Sequence, residues 1–260
     1  MLRALLERGV VPDLVVGTSI GAINGAAVAA EPTAAAIGRL TEMWLQIEGS
    51  DAFEASVFGR LATLARSRTH LHENDALRRM LAGSLPVGRI EELPVAFECV
   101  AACIETASER WFSSGPLVDA VMASSAVPGI LPPFEIDGEH FLDGGIVNSI
   151  PVSRALALGA HTIYVLHVGR IERPLQPPRW PWEVALVAFE IARRHRFMGD
   201  LADLPDDIDV HVLPTGQANP PRFTDLSQFR YRDTSQTSEH ISRAYEASAA
   251  YLREKPLGDP

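Results

Sequence analysis

The 260-residue chain is nearly without lysine: Lys255, close to the C-terminus, is the only one. A serine–lysine pair or a phosphate-gripping P-loop needs a lysine beside its motif, so neither is available. Positive charge is short overall, with 23 lysines and arginines against 33 aspartates and glutamates, a formal charge of −10. Binding to nucleic acid requires clustered cations that neutralise phosphates, so no nucleic-acid partner is expected. The same balance argues against broad adhesion to anionic membranes and leaves only local clusters such as Arg193-Arg194-His195-Arg196.

Cysteine is equally scarce. Cys99 and Cys103 are the only two, and both fall in PVAFECVAACIE, which reads as a buried strand. Strand residues four apart share a face but stand roughly 13 Å from each other, too far for a disulfide. Two cysteines unaided do not complete a structural zinc site. Small buried thiols in a reducing compartment are the expectation. No apolar run is long enough to span a membrane, and MLRALLERGV carries charges where a secretory signal needs an apolar centre. A soluble, cytoplasmic protein is expected, and 47% hydrophobic content is enough for a substantial core.

Strand and helix patterns alternate along the chain. LRALLERG reads as a helix closed by Gly9, VPDLVVG as a short strand and SIGAINGAAVAA as a helix of small residues. The stretch 33–48 has apolar residues at helical spacing, and NDALRRMLAG reads as a short capped helix. Two strands, LPVAFECVAACIE and RWFSSG, precede a helix in LVDAVMASSAVPGILPPF that runs into a proline-punctuated loop. FEIDGEHFLDGG reads as a hairpin turning at Asp137-Gly138. IPVSRALALGA is a helix with Pro151 near its start and Gly159 at its end, and HTIYVLHVG is a strand. A proline-rich loop then leads to an apolar helix at 183–197, a strand at DVHVLP and a last helix near 235–253. Such alternation implies a largely parallel sheet with helices on both faces.

LVVGTSIGAINGAA contains Gly17-Thr18-Ser19-Ile20-Gly21, a G-x-S-x-G between a predicted strand and a predicted helix. That is the setting of a nucleophile elbow, in which the glycines leave room for the chain to reverse. Ser19 then opens a helix, where unpaired amides and the dipole favour negative charge, and the Ile20 N–H is a candidate oxyanion donor. A plain N-cap serine with glycines for close packing, and a dinucleotide-binding turn, are the competing readings. The latter lacks the G-x-G opening and a suitably placed acidic strand end.

A nucleophilic serine needs a proton acceptor, and the eight histidines are poorly placed. His140 lies three residues from Asp143 on a strand, so the two point to opposite faces. His70 and His72 in HLHEN look like a metal pair but belong to a capping turn. The better acceptor is in FLDGGIVNSIP, where Asp143 ends a strand and Gly144-Gly145 permit a tight turn. An ordinary Asx-turn is the competing reading. Two glycine-framed polar residues at strand ends are what α/β sheets offer as a site.

GTSIGAING and DGGIVNSIP, joined by ASSAVPGILPPFEIDGEHFLDGG, resemble the two signature regions of patatin-like phospholipases, with similarity from residue 1 to about 215. The resemblance implies a three-layer α/β/α sandwich with a mainly parallel central sheet, forming a single domain over 1–260. It implies a serine–aspartate dyad that hydrolyses acyl esters of lipids, with Ser19 as nucleophile and Asp143 as base. Gly17, Ile20 and Gly21 fall in the elbow and oxyanion region, and Gly144 and Gly145 in the turn presenting the aspartate. No cofactor and no metal are implied. The family's opening strand and glycine-rich oxyanion loop have no match here, since MLRALLERGV corresponds to the helix that follows them. A start codon placed downstream, or a form short of part of its oxyanion hole, is therefore expected. A non-catalytic lipid-binding or regulatory protein on this scaffold is the alternative. PRWPWEVALVAFEIARRHRF could touch a lipid interface transiently, although a buried helix beside a surface loop is the first expectation.

Overall fold

The structure is a computed structural model that describes residues 1–49, 74–167, 174–216 and 234–255. Its Cα packing divides the chain into two compact units, Pro12–Pro151 and a unit formed by Met1–Val11 with Val152–Pro260. The chain is of the α/β class, with strands flanked by helices, as expected.

In the Pro12–Pro151 unit, β1 (Leu14–Thr18) runs directly into α2 (Ile20–Ala30), which follows the short α1 (Leu2–Glu7) of the other unit. Small residues let α2 lie close on the sheet: a Cβ at Gly25 would come 2.9 Å from Val15 Cγ1. After α3 (Ala34–Gly49) and α4 (Asp75–Ser84), β2 (Ala96–Cys103) forms the centre of the sheet. Every residue of β2 from Phe97 to Cys103 is buried, the continuous pattern of a strand covered on both faces. β3 (Ser108–Phe112) follows, then α5 (Leu117–Ser124), then the hairpin β4 (Phe134–Ile136) and β5 (Glu139–Asp143). Asp137 and Gly138 turn that hairpin with φ of 52° and 83°, both positive as a type I′ turn requires. The core gathers Phe97, Cys99, Leu117, Val121, Met122 and Phe141.

β1 pairs with β2 in parallel, whereas β3 and β5 pair with it antiparallel and β4 pairs antiparallel with β5. Parallel order therefore belongs to the helix-linked pair; tight turns make β2–β3 and β4–β5 antiparallel, and β5 also runs against β2, so the sheet is mixed. The registers reveal the decisive feature. β1 lies against Ala96–Val100 and β5 against Ala101–Cys103, while β3 covers Cys99–Cys103. β3 overlaps both partners, so β1 and β5 must share the other edge of β2. They run towards each other and stop on adjacent residues, Thr18 opposite Val100 and Asp143 opposite Ala101.

The second unit holds a parallel pair, β6 (Thr162–Val165) with β7 (Asp209–Val212), together with α1, α6 (Val152–Ala157), α7 (Pro181–Ala202) and α8 (Thr234–Glu254). Ala4 and Leu5 of α1 share a core with Leu213 and Leu252, and Tyr245 Oη donates to Glu7 at 2.6 Å. Gly9 and Gly159 close α1 and α6 with positive φ, as their positions in the sequence suggest.

Two expectations need correction. Asn74 precedes α4 but makes no side-chain capping bond, because its own backbone is already helical at φ −73°, ψ −19°. The apolar helix expected at 183–197 spans Pro181–Ala202 and is a surface helix, not a buried one. Val187, Glu190 and Phe197 are buried, while Val184, Ile191 and Met198 are each more than half exposed. Among its described side chains, the buried ones share one side of the helix, while apolar residues also stand exposed on another. Glu190, fully buried, is satisfied by Arg193 and Arg194 one turn on, each within 2.9 Å.

Candidate active site

Ser19 alone makes the reversal from β1 into α2, with its backbone at φ 56°, ψ −124°. A non-glycine residue is strained there and stays only where its surroundings over-determine it. Gly17 is part of that determination, because a Cβ on it would sit 2.6 Å from the Gly21 carbonyl oxygen and 2.7 Å from Ala22 Cα. Gly21 behaves differently. Apart from its chain neighbours and its own helix backbone, nothing lies within 4 Å of where its Cβ would be, so crowding demands glycine at position 17 and not at position 21. Ile20 is exposed, and its amide opens α2, where helix N–H groups lack intrahelical partners.

Asp143 ends β5 and leads into a 3-10 turn over Gly144–Ile146. Its carboxylate divides its two oxygens. Oδ1 accepts the Gly145 N–H at 2.7 Å, which makes the Asx-turn one correct reading of the motif. Oδ2 accepts the Ser19 hydroxyl at 2.5 Å, across 124 residues of sequence. Gly144 is forced by close approach to the central strand, since a Cβ there would fall 2.1 Å from the Val100 carbonyl oxygen. Asp143 is 7% exposed. Burial pushes its carboxyl from 3.8 up to about 6, while the hydrogen bonds from Ser19 and Gly145 pull it down.

Ser19, Asp143, Gly17, Ile20, Gly21, Gly144 and Gly145 thus come together where β1 and β5 meet. His140 does not join them: it is exposed on the hairpin and faces Glu105 at 2.7 Å. His70 and His72 lie outside the described residues.

Three supporting contacts escaped the motif reading. Thr18 Oγ1 donates to the Asn148 carbonyl at 2.8 Å, bracing one motif against the other. The Ser19 N–H donates to the Ser124 hydroxyl at 3.0 Å, and the Asp143 N–H donates to the Ala126 carbonyl at 2.9 Å. The available signal was ASSAVPG, where an apolar helix ends in two serines before a proline and polar groups must find buried partners. A serine hydroxyl on a buried carboxylate, at the start of a helix, has the parts for nucleophilic attack: a proton acceptor and a favourable dipole.

The family model of patatin-like phospholipases matches residues 1–156. A patatin-like phospholipase domain-containing protein of Caenorhabditis elegans is 30% identical over 174 residues, 66% of this chain and 12% of that protein. Patatin-like phospholipase domain-containing protein 6 of Homo sapiens is 32% identical over 171 residues, 65% of this chain and 12% of that one. A lysophospholipase of Candida glabrata is 31% identical over 173 residues, 66% of this chain and 10% of its own length. The match thus spans about a tenth of the length of these curated relatives.

Proposed function

The chain belongs to the patatin-like phospholipase family, and from that premise we propose that it hydrolyses acyl esters of lipids through Ser19 and Asp143. The observation that carries the reading is the 2.5 Å hydrogen bond from the Ser19 hydroxyl to the buried Asp143 carboxylate. Asp143 takes the hydroxyl proton as Ser19 Oγ attacks the ester carbonyl. The oxyanion that forms faces the N-terminus of α2, where the Ile20 N–H is the first donor. Collapse of the tetrahedral species breaks the ester C–O bond, and the departing alcohol takes the proton from Asp143. A water molecule then attacks the acyl-enzyme, gives its proton to Asp143, and releases the carboxylic acid as the proton returns to Ser19.

The raised carboxyl suits this role. Burial brings Asp143 to about 6, a stronger base than an ordinary aspartate and still ionised near neutrality. A monoacyl phospholipid is the first substrate to try, because one relative is named a lysophospholipase. Transient contact with a lipid surface finds support on α7, where Val184, Ile191 and Met198 recur every seven residues and stay exposed, with exposed Trp180 just ahead. Among the described residues no helix is long and apolar enough to cross a membrane.

Release of fatty acid from lysophosphatidylcholine, together with labelling by a fluorophosphonate, tests the reading. Ser19→Ala is expected to abolish both, and Asp143→Asn to slow turnover on the order of 10⁴-fold. A Ser19→Ala chain that folds and still hydrolyses the lipid would remove Ser19 from the mechanism.

A further inference from the structure

One short segment touches both halves of the site. α5 ends at Ser124, which has no solvent exposure. Its hydroxyl oxygen accepts the Ser19 N–H, and two residues later the Ala126 carbonyl accepts the Asp143 N–H. The main chains of the two residues are therefore pinned to two positions, 124 and 126, at the end of one helix. α5 is itself well anchored, with Leu117, Val121 and Met122 at most 1% exposed.

We propose that Ser124 is a positioning residue that, with Ala126, sets the spacing between the Ser19 hydroxyl and the Asp143 carboxylate. The inference rests on the reading of Ser19 and Asp143 as nucleophile and base. Two features give it force. Ser19 holds a positive φ that an unsupported serine would leave, and the Ser124 hydroxyl is the side-chain partner of its amide. The Ser19 N–H, already committed to Ser124, does not serve the oxyanion, so that role passes to amides further into α2, beginning with Ile20.

The test compares Ser124→Ala and Ser124→Cys with the unmodified chain and Ser19→Ala, using p-nitrophenyl butyrate and a fluorophosphonate. Ser124→Ala is expected to lower kcat by about 10²-fold, the cost of a small misplacement of reacting groups, with KM changed less than about twofold. Cysteine keeps the shape but is a weaker acceptor, so Ser124→Cys falls between the two. The pH profile separates positioning from general loosening. The Ser19 hydroxyl pulls the Asp143 carboxyl down against burial, so weakening that bond moves the acid limb of kcat/KM to higher pH. Loosening that admits water would move the limb down, towards an ordinary aspartate, and would overturn the proposal. Unchanged kcat in both variants, beside an inactive Ser19→Ala, would overturn it alone. An active Ser19→Ala would overturn the nucleophile assignment and this inference together. Should Ser124→Ala not fold, Ser124→Cys and hydrogen exchange on the unmodified chain still decide. The Ser19 amide should exchange as slowly as the paired amides of β1, and fast exchange would count against the bond.

Discussion

Ser19 and Asp143 stand at the ends of two strands that meet on one edge of β2, yet they are held in contrasting ways. The serine is under backbone strain: φ is positive, Gly17 leaves no room for relaxation, and the side chain remains half-buried. The aspartate has an unstrained backbone at φ −48°, and its cost is solvation, because a carboxylate is kept almost out of water. Local sterics shape the serine. Long-range burial shapes the aspartate. A substitution that relieves one kind of cost should therefore leave the other in place.

The largest structural effect expected is at Gly144. A Cβ against the Val100 carbonyl must displace main chain, so Gly144→Ala should lose about 3 kcal/mol or more in urea unfolding. Gly21→Ala, on the other motif, meets open space and should stay within about 1 kcal/mol of the unmodified chain. Equal midpoints for the two variants would break the contrast between a required and a permissive glycine.

Next in size is the effect of neutralising Asp143. Below pH 3.8 the Asp143 carboxyl is protonated both folded and unfolded, so it adds no difference. Between 3.8 and about 6 the folded chain keeps a proton that the unfolded chain releases, so stability falls as pH rises through that window. The resulting penalty at pH 7 is about 3 kcal/mol at most, and Asp143→Asn should recover on the order of 1–3 kcal/mol of it while losing activity. The gain should vanish near pH 4. A thermal melt series across pH reads this directly, and Asp143→Asn less stable than the unmodified chain at pH 7 would show that burial is not the dominant cost. In the same window, kcat/KM should rise through a limb near pH 6 as Asp143 ionises.

Smallest is the brace between the motifs. Thr18→Val leaves the Asn148 carbonyl without its hydroxyl donor and should cost about 1 kcal/mol, with a smaller loss of kcat than Ser124→Ala. A larger loss than that of Ser124→Ala would place the control of spacing in the Thr18 contact instead.

Much of the local architecture was legible from short-range chemistry. Asp137-Gly138 marked its hairpin because two positive φ values suit few residue pairs, and Gly9 and Gly159 marked helix ends for the same reason. Helix limits were read less well where apolar residues continue past the covered face, as in α7. Asn74 failed as a cap because capping depends on the dihedrals of the residue before the helix, which composition does not report.

The sequence by itself determined which groups could carry chemistry. A serine between glycines at a strand–helix junction and an aspartate before two glycines are fixed by what small residues alone permit, and the near absence of lysine removes one rival, a serine–lysine pair. Tertiary structure alone decided that these groups meet. The head-on approach of β1 and β5 along β2 is a matter of strand order and register over 124 residues, and no local preference encodes it. The same packing raised the Asp143 carboxyl to about 6 and brought Ser124 to the Ser19 amide, because burial and hydrogen-bond partners are properties of neighbours in space rather than in sequence.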